Sequence, residues 1–175
     1  MLFVGSLIPR KGAQTLISAL AQLPGADRPD LVIVGKGPLE AALREQARAC
    51  GLAGRVHFLG QVADADLPGL YQLADLFAYP SVGEGFGIPI LEALTSGVPV
   101  ITSTGSCFAE PGGDAALYTT PGDVPELAEA LARVLGDSAL RRDMIAKGVR
   151  HAENFHISRT SAALMQVYAD LCAKR

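Results

Sequence analysis

Short apolar runs alternate along this chain with longer stretches whose apolar positions recur every three or four residues. Leu2-Phe3-Val4, Asp30-Leu31-Val32-Ile33-Val34, Val56-His57-Phe58-Leu59, Leu76 to Tyr79, Val98-Pro99-Val100-Ile101-Thr102 and Ala116-Leu117-Tyr118-Thr119 are too short for helices and read as strands. Helical spacing fills the intervals. It covers Leu16, Ile17 and Leu20, then Leu39 to about Cys50, then Asp66 to Ala74 with Leu67, Leu70, Tyr71 and Leu73. Further helices open at Pro89, run from Pro125 to Leu135, start behind an Asp137-Ser138 cap and run toward Glu153, and span Ser158 to about Cys172 with Leu164, Val167, Tyr168 and Leu171 apolar. Strands and helices in turn predict parallel pairing, because a parallel pair needs a crossover long enough to hold a helix. The expected fold is α/β, a Rossmann-like doubly wound parallel sheet of about six strands with helices on both faces, in one domain over residues 1–175.

The stretch with most chemistry follows the fourth run: Pro80-Ser81-Val82-Gly83-Glu84-Gly85-Phe86-Gly87-Ile88-Pro89-Ile90-Leu91-Glu92. A strand leads into a glycine loop and then a helix start, where proline's missing N–H costs nothing. Gly83, Gly85 and Gly87 let a ligand approach the backbone, and the N–H groups of the first helical turn, Ile88 to Ile90, offer an anion site. Glu84 and Glu92, the latter expected in that first turn, frame the site. Carboxylates repel phosphate, so their partners should be neutral hydroxyls. An anion flanked by polyhydroxylated rings describes a nucleotide sugar. Ser6-Leu7-Ile8-Pro9-Arg10-Lys11-Gly12 concentrates positive charge at the end of the first strand, where open α/β sheets bind ligands, so Arg10 and Lys11 reach the same phosphates.

Glu84 to Ala93, with Gly97-Val98-Pro99-Val100-Ile101 after it, resembles the E-x7-E signature of retaining glycosyltransferases of the GT-B fold, group one or family four, most like bacterial mannosyl- and glucosyltransferases. The resemblance covers essentially the whole chain. It implies the C-terminal, donor-binding domain of a hexosyltransferase, with the N-terminal acceptor domain absent or supplied by a partner chain, and with a final helix that crosses back to that domain. It also implies the site residues. Glu84 hydrogen-bonds the transferred sugar, the backbone of Gly85, Phe86, Gly87 and Ile88 lies against sugar and phosphate, and Glu92 holds the ribose hydroxyls. Gly5 ends the first strand, and the turn Gly60-Gln61 meets the nucleotide base through backbone groups. Arg10 and Lys11 stabilise the departing diphosphate, the role falling more firmly on Lys11, since Ser6 stands where the family carries a basic residue. The polar loop Thr104 to Asp114 lies near the donor. The signature contains no Asp-x-Asp metal motif, so transfer without a metal or other cofactor is expected. A stand-alone nucleotide-sugar-binding module, or a subunit of a split transferase inactive by itself, is the alternative. A dinucleotide-dependent enzyme is disfavoured because the first loop lacks Gly-x-Gly-x-x-Gly.

Composition narrows the setting. Net charge is -3 with 49% hydrophobic residues, which suits a globular domain and argues against a general nucleic-acid surface, so any anion site must be local. The three cysteines, Cys50, Cys107 and Cys172, lack metal-ligand spacing and read as free thiols, and no base near Cys107 in sequence would make it a nucleophile. No apolar run is long enough to span a membrane. The expected location is the cytoplasm, with the inner membrane face reached through partners. His57 reads as a strand-end residue satisfied by backbone, His151 and His156 as solvated or capping groups, and Lys36 as solvated. The Gly35-Lys36-Gly37-Pro38 turn reads as tight packing, because two glycines are weak evidence of phosphate binding.

Overall fold

The computed structural model describes residues 1–25 and 28–173. Six strands, β1 (Leu2–Val4), β2 (Leu31–Val34), β3 (Val56–Gly60), β4 (Phe77–Tyr79), β5 (Val100–Ser103) and β6 (Ala116–Thr119), form one sheet in the order β3-β2-β1-β4-β5-β6. Every pairing is parallel. The chain builds outward from β1 through β2 to β3, then returns to lay β4 on the other side of β1 and builds outward again. That reversal opens a crevice beyond the carboxyl ends of β1 and β4, the place where such sheets take ligands.

The connecting helices are α1 (Ala13–Gln22), α2 (Glu40–Ala49), α3 (Leu67–Gln72), α4 (Ile88–Thr95) and the one-turn α5 (Ala109–Gly112), followed by α6 (Val124–Gly136), α7 (Ser138–Ala152) and α8 (Ile157–Ala173). Right-handed crossovers in opposite directions from β1 send α1 and α2 to one face and α3, α4 and α5 to the other. Helix α6 then packs on α1, and α7 on α4. The core lies between these layers, with Phe3, Leu31, Ile33, Phe77, Tyr79 and Ile101 of the sheet fully buried against Leu16, Leu20, Leu94 and Leu131 of the helices.

Local differences from the sequence reading have physical causes. Strand β5 starts at Val100 and not Val98, because Pro99 has no N–H to donate and the N–H of Val98 is bonded to Ala93 O, closing α4. Helix α4 starts at Ile88, so Glu92 opens its second turn. Pro9–Lys11 forms a 3-10 turn, and the polar loop after β5 contains α5. Asp137 caps α7 as expected, accepting from Ala139 N and Leu140 N at 2.9 Å each. Gly35 and Gly37 are packing glycines: a Cβ at either would overlap the backbone of Gly5 or Leu7. Helix α8 has no buried residue, and its Leu164, Met165, Val167, Tyr168 and Leu171 are each more than half exposed.

Phe77 pairs with Leu2 on one side and Val100 on the other at the centre of the sheet. Phe77→Ala should lower stability by about 3–5 kcal/mol through lost burial and the cavity it leaves. Leu164→Ala on α8 should stay within about 0.5 kcal/mol of the parent chain. Urea midpoints of the two variants test this, and similar losses would contradict the burial described for the two positions.

Candidate functional site

The residues at the crevice are held by two loops fastened to each other. The 3-10 turn Pro9–Lys11 is closed by Gly12, whose φ of 76° is left-handed and whose missing Cβ leaves room for the carbonyl of Pro80. From the other loop, Val82 N donates to Arg10 O at 2.8 Å and Ser81 Oγ to the same carbonyl at 3.0 Å. Lys11 and Glu84, 73 positions apart, therefore meet inside the crevice.

The Lys11 ammonium lies 2.7 and 2.8 Å from the two Glu84 oxygens and 2.8 Å from the Tyr79 hydroxyl, so its three protons are all engaged. Glu84 Oε1 also accepts from Tyr79 Oη at 3.0 Å and from Ser81 Oγ at 2.7 Å. The two charged side chains are only 14% and 10% exposed. Burial pushes the Glu84 carboxyl up, but the hydrogen bonds from Lys11, Ser81 and Tyr79, with the charge of Lys11, outweigh it and hold the group below its ordinary value. Arg10 is the freer cation, 52% exposed, donating to Gly83 O with its guanidinium 3.9 Å from Glu84 Oε2.

The loop between Glu84 and α4 supplies donors. The N–H groups of Gly85, Phe86, Gly87 and Ile88 have no protein partner among the described residues. The donor row ends at Ile88 and does not run on to Ile90, because Ile90 N is bonded to Gly87 O at 2.9 Å and Pro89 has no N–H. Gly87, with φ of 101°, makes the bend that turns this carbonyl into the helix. The loop is held from β5 by Ser106, whose hydroxyl oxygen is 3.2 Å from both the N and the O of Glu84. Cys107 Sγ is 3.0 Å from Phe86 O and 3.3 Å from Glu84 O, so this thiol is a packed donor.

Glu92 stands apart from that cluster. Its Oε2 accepts from the hydroxyl of Tyr71 at 2.9 Å, and Oε1 has no protein partner among the described residues. Glu92 and Tyr71 open onto a largely apolar cavity of about 500 Å³, lined also by Asp64, Leu67, Ile88 and Leu91. Gly5 lies beside Tyr79, where a Cβ would sit 3.4 Å from the ring. Gly60 and Gln61 end β3 on the same sheet edge but across β2 from the cluster, with Gly60 O accepting from Gly35 N at 2.7 Å. Asp64-Ala65-Asp66 does have Asp-x-Asp spacing, outside the glutamate signature and ahead of α3; both aspartates are exposed. Among the described residues no three His, Cys, Asp or Glu side chains come together as a metal-binding group, and no helix is long and apolar enough to cross a membrane. His57 is exposed, with its ring 3.6 Å from Asp30, while His151 Nε2 meets Glu110 O at 2.9 Å and His156 Nδ1 meets Ser158 Oγ at 2.9 Å.

The family model for glycosyl transferases group 1 matches residues 1–151. This chain belongs to that family. It is 35% identical over 170 residues to O-antigen chain mannosyltransferase B of Escherichia coli, covering 95% of this chain and 45% of that protein. Among solved structures, Anabaena HepE in complex with UDP superposes with a TM-score of 0.81 at 29% identity, over 95% of this chain and 48% of that one. The C-terminal domain of the group 1 glycosyl transferase LpcC from Francisella tularensis gives 0.78 at 25% identity, over 87% and 84%. The chain thus spans less than half the length of the mannosyltransferase it matches. Its all-parallel sheet is the Rossmann-like half expected of a GT-B glycosyltransferase.

Of the residues singled out in the sequence, Arg10, Lys11 and Glu84 come together at the crevice and Glu92 stands apart with Tyr71, whereas Ser81, Tyr79 and Tyr71, which hold the two carboxylates, were not singled out. A tyrosine inside an apolar strand is the signal that was present, since a buried phenol has to find a hydrogen-bond partner. The lowered Glu84 carboxyl also has a pH signature. A depressed folded value means stability that is present above the ordinary glutamate value of 4.5 and lost as pH falls through the folded value. The stability difference between the parent and Glu84→Gln should be constant near neutrality and shrink below that point. A difference that stays level from about pH 6 to about pH 3 in urea titrations would show that the pair leaves the carboxyl unperturbed.

Proposed function

We propose that this chain is the donor-binding domain of a retaining hexosyltransferase, which moves a mannose- or glucose-type sugar from a nucleoside diphosphate to a saccharide or lipid-linked acceptor. The observation that carries the reading is the placement of Arg10 and the Lys11–Glu84 pair at the sheet's switch point, beside four unpartnered loop N–H groups. Cations and amides meet a diphosphate, and carboxylates meet hydroxyls. HepE, on which this chain superposes, is in complex with UDP, which supports a nucleotide as the ligand class.

In the reaction the bond from the anomeric carbon to the diphosphate oxygen breaks, positive charge develops on the sugar ring and negative charge on the leaving oxygen, and the acceptor hydroxyl oxygen bonds to that carbon as its proton passes to the departing diphosphate. Arg10, with donors to spare, and the N–H groups of 85–88 stabilise that oxygen. Lys11 joins them by exchanging its bond to Tyr79 or to one Glu84 oxygen. Glu84 orients the sugar through Oε2, because Oε1 already accepts from Lys11, Tyr79 and Ser81. Glu92 keeps Oε1 free for the ribose hydroxyls, and the cavity beside it receives the nucleoside. Charge compensation in this scheme comes from protein groups and assigns no step to a metal. Acceptor binding and closure of the cleft belong to a further domain or partner chain, in keeping with the share of the relatives' length that this chain covers.

Calorimetry with GDP, UDP and ADP, their hexose conjugates, and NAD tests the reading. One nucleoside diphosphate series should bind and NAD should not, with affinity falling as salt rises. Glu92→Ala should weaken nucleotide and nucleotide sugar alike by about 1.5–3 kcal/mol, whereas Glu84→Ala should spare the nucleotide and weaken its sugar conjugate. Absence of binding to every series at millimolar ligand would end the donor-site reading.

A further inference from the structure

Each of the two glutamates is met from inside the fold by a different buried tyrosine. Tyr71, on α3, is 1% exposed, and Tyr79, on β4, is fully buried. Their rings belong to one aromatic column: Tyr71 stands edge-on to Phe77 with centroids 5.3 Å apart, and Phe77 stacks on Tyr79 at 5.8 Å. Phe3 of β1 tilts against Tyr79 from the far side at 6.0 Å. The column fixes both hydroxyls relative to the sheet. One donates to Glu92 at 2.9 Å and the other to Glu84 at 3.0 Å.

Burial, and then the neighbouring carboxylate, push both phenols well up, so each stays a protonated donor at any working pH. A glutamate has several rotatable bonds and takes up a single pose only when something selects it. For Glu92 the hydroxyl of Tyr71 is the sole protein hydrogen-bond donor among the described residues, while Glu84 has Lys11 and Ser81 as well. The two tyrosines therefore carry unequal shares of the same task.

We propose that Tyr71 and Tyr79 are positioning residues of the donor site, Tyr71 holding Glu92 toward the ribose hydroxyls and Tyr79 holding Glu84 toward the sugar. Each hydroxyl acts through the carboxylate it donates to; the Tyr71 ring also lines the nucleoside cavity, and Tyr79 also accepts from Lys11. This rests on the assignment of Glu92 to ribose and Glu84 to sugar made above. It predicts opposite ligand dependence for two substitutions that each remove a single oxygen from one column.

The test is the affinity of the 175-residue chain, Tyr71→Phe and Tyr79→Phe for GDP, 2′,3′-dideoxy-GDP and GDP-mannose, with UDP, 2′,3′-dideoxy-UDP and UDP-glucose in parallel. Tyr71→Phe should weaken the ribonucleotide about five- to tenfold and leave the dideoxy nucleotide within about twofold, and it should have no further effect on a Glu92→Ala background. Tyr79→Phe should cut the extra affinity conferred by the hexose about two- to threefold, over and above any change on the sugar-free nucleotide that comes through Lys11, which also donates to the Tyr79 hydroxyl. Equal losses for ribo and dideoxy ligands in Tyr71→Phe would make the tyrosine a packing residue and overturn the proposal, as would a Tyr79→Phe loss that is the same for the nucleotide and its sugar conjugate. A parent chain that does not distinguish ribo from dideoxy ligand defeats the ribose assignment of Glu92 itself, and the role of Tyr71 with it. A parent that does distinguish them, together with a Tyr71→Phe that discriminates as well, removes only the positioning role.

Discussion

The Lys11–Glu84 ion pair is the interaction on which the site depends. It ties the loop after β1 to the loop after β4, the two strands between which the sheet reverses direction. Bringing two charges into a crevice where each is about nine-tenths covered is expensive, and an apolar pair of the same shape would often be as stable or more so. The protein offsets the cost with Tyr79 and Ser81, which complete the hydrogen bonding of the carboxylate. Such a network contributes little to stability for its own sake. What it secures is a carboxylate that stays ionised and a lysine that cannot wander, both at the one place where the sheet opens.

The rest of the fold serves that placement. Gly12 lets the Pro9–Lys11 turn lie against Pro80, the β4–β5 register carries Tyr79 opposite Thr102, and Thr102 Oγ1 donates back to Tyr79 O at 2.9 Å. The aromatic column then runs from Phe3 of β1 through β4 to α3, so that a helix on one face and the central strands share one packed unit.

Most of the sheet was legible in the sequence because its strands are short apolar runs with turn residues between them, and no other reading of Leu31 to Val34 or Phe77 to Tyr79 competes. Edges were less legible. Val98 is lost to β5 because its N–H closes α4 on Ala93 O, a bond that no strand pattern shows, and Ala109–Gly112 holds too few residues to show a helical period. The spacing of Glu84 and Glu92 announced a site, but spacing along a chain says nothing of what stands behind each carboxylate. Tyr71 and Tyr79 read as core, which they are, and their second role rests in the direction of one O–H bond. For α8 the sequence left two outcomes open, an apolar face partly exposed or one folded against its own domain, because apolar spacing predicts a face to bury and does not say against what; the structure has it exposed.

The attachment of the loop around Gly85 to the Ser106-Cys107 segment sets the loop's polarity. A bare peptide loop presents as many carbonyls as amides and is indifferent to the sign of what approaches it. Here the carbonyls of Glu84 and Phe86 are turned inward and occupied by a hydroxyl and a thiol. With the Gly87 carbonyl taken by Ile90 N, the amides of Gly85, Gly87 and Ile88 are left as the unpaired half of their peptide units among the described residues, so a segment with no basic side chain of its own presents more donors than acceptors. Cys107, chemically quiet where it sits, is part of what tips that rim toward donors.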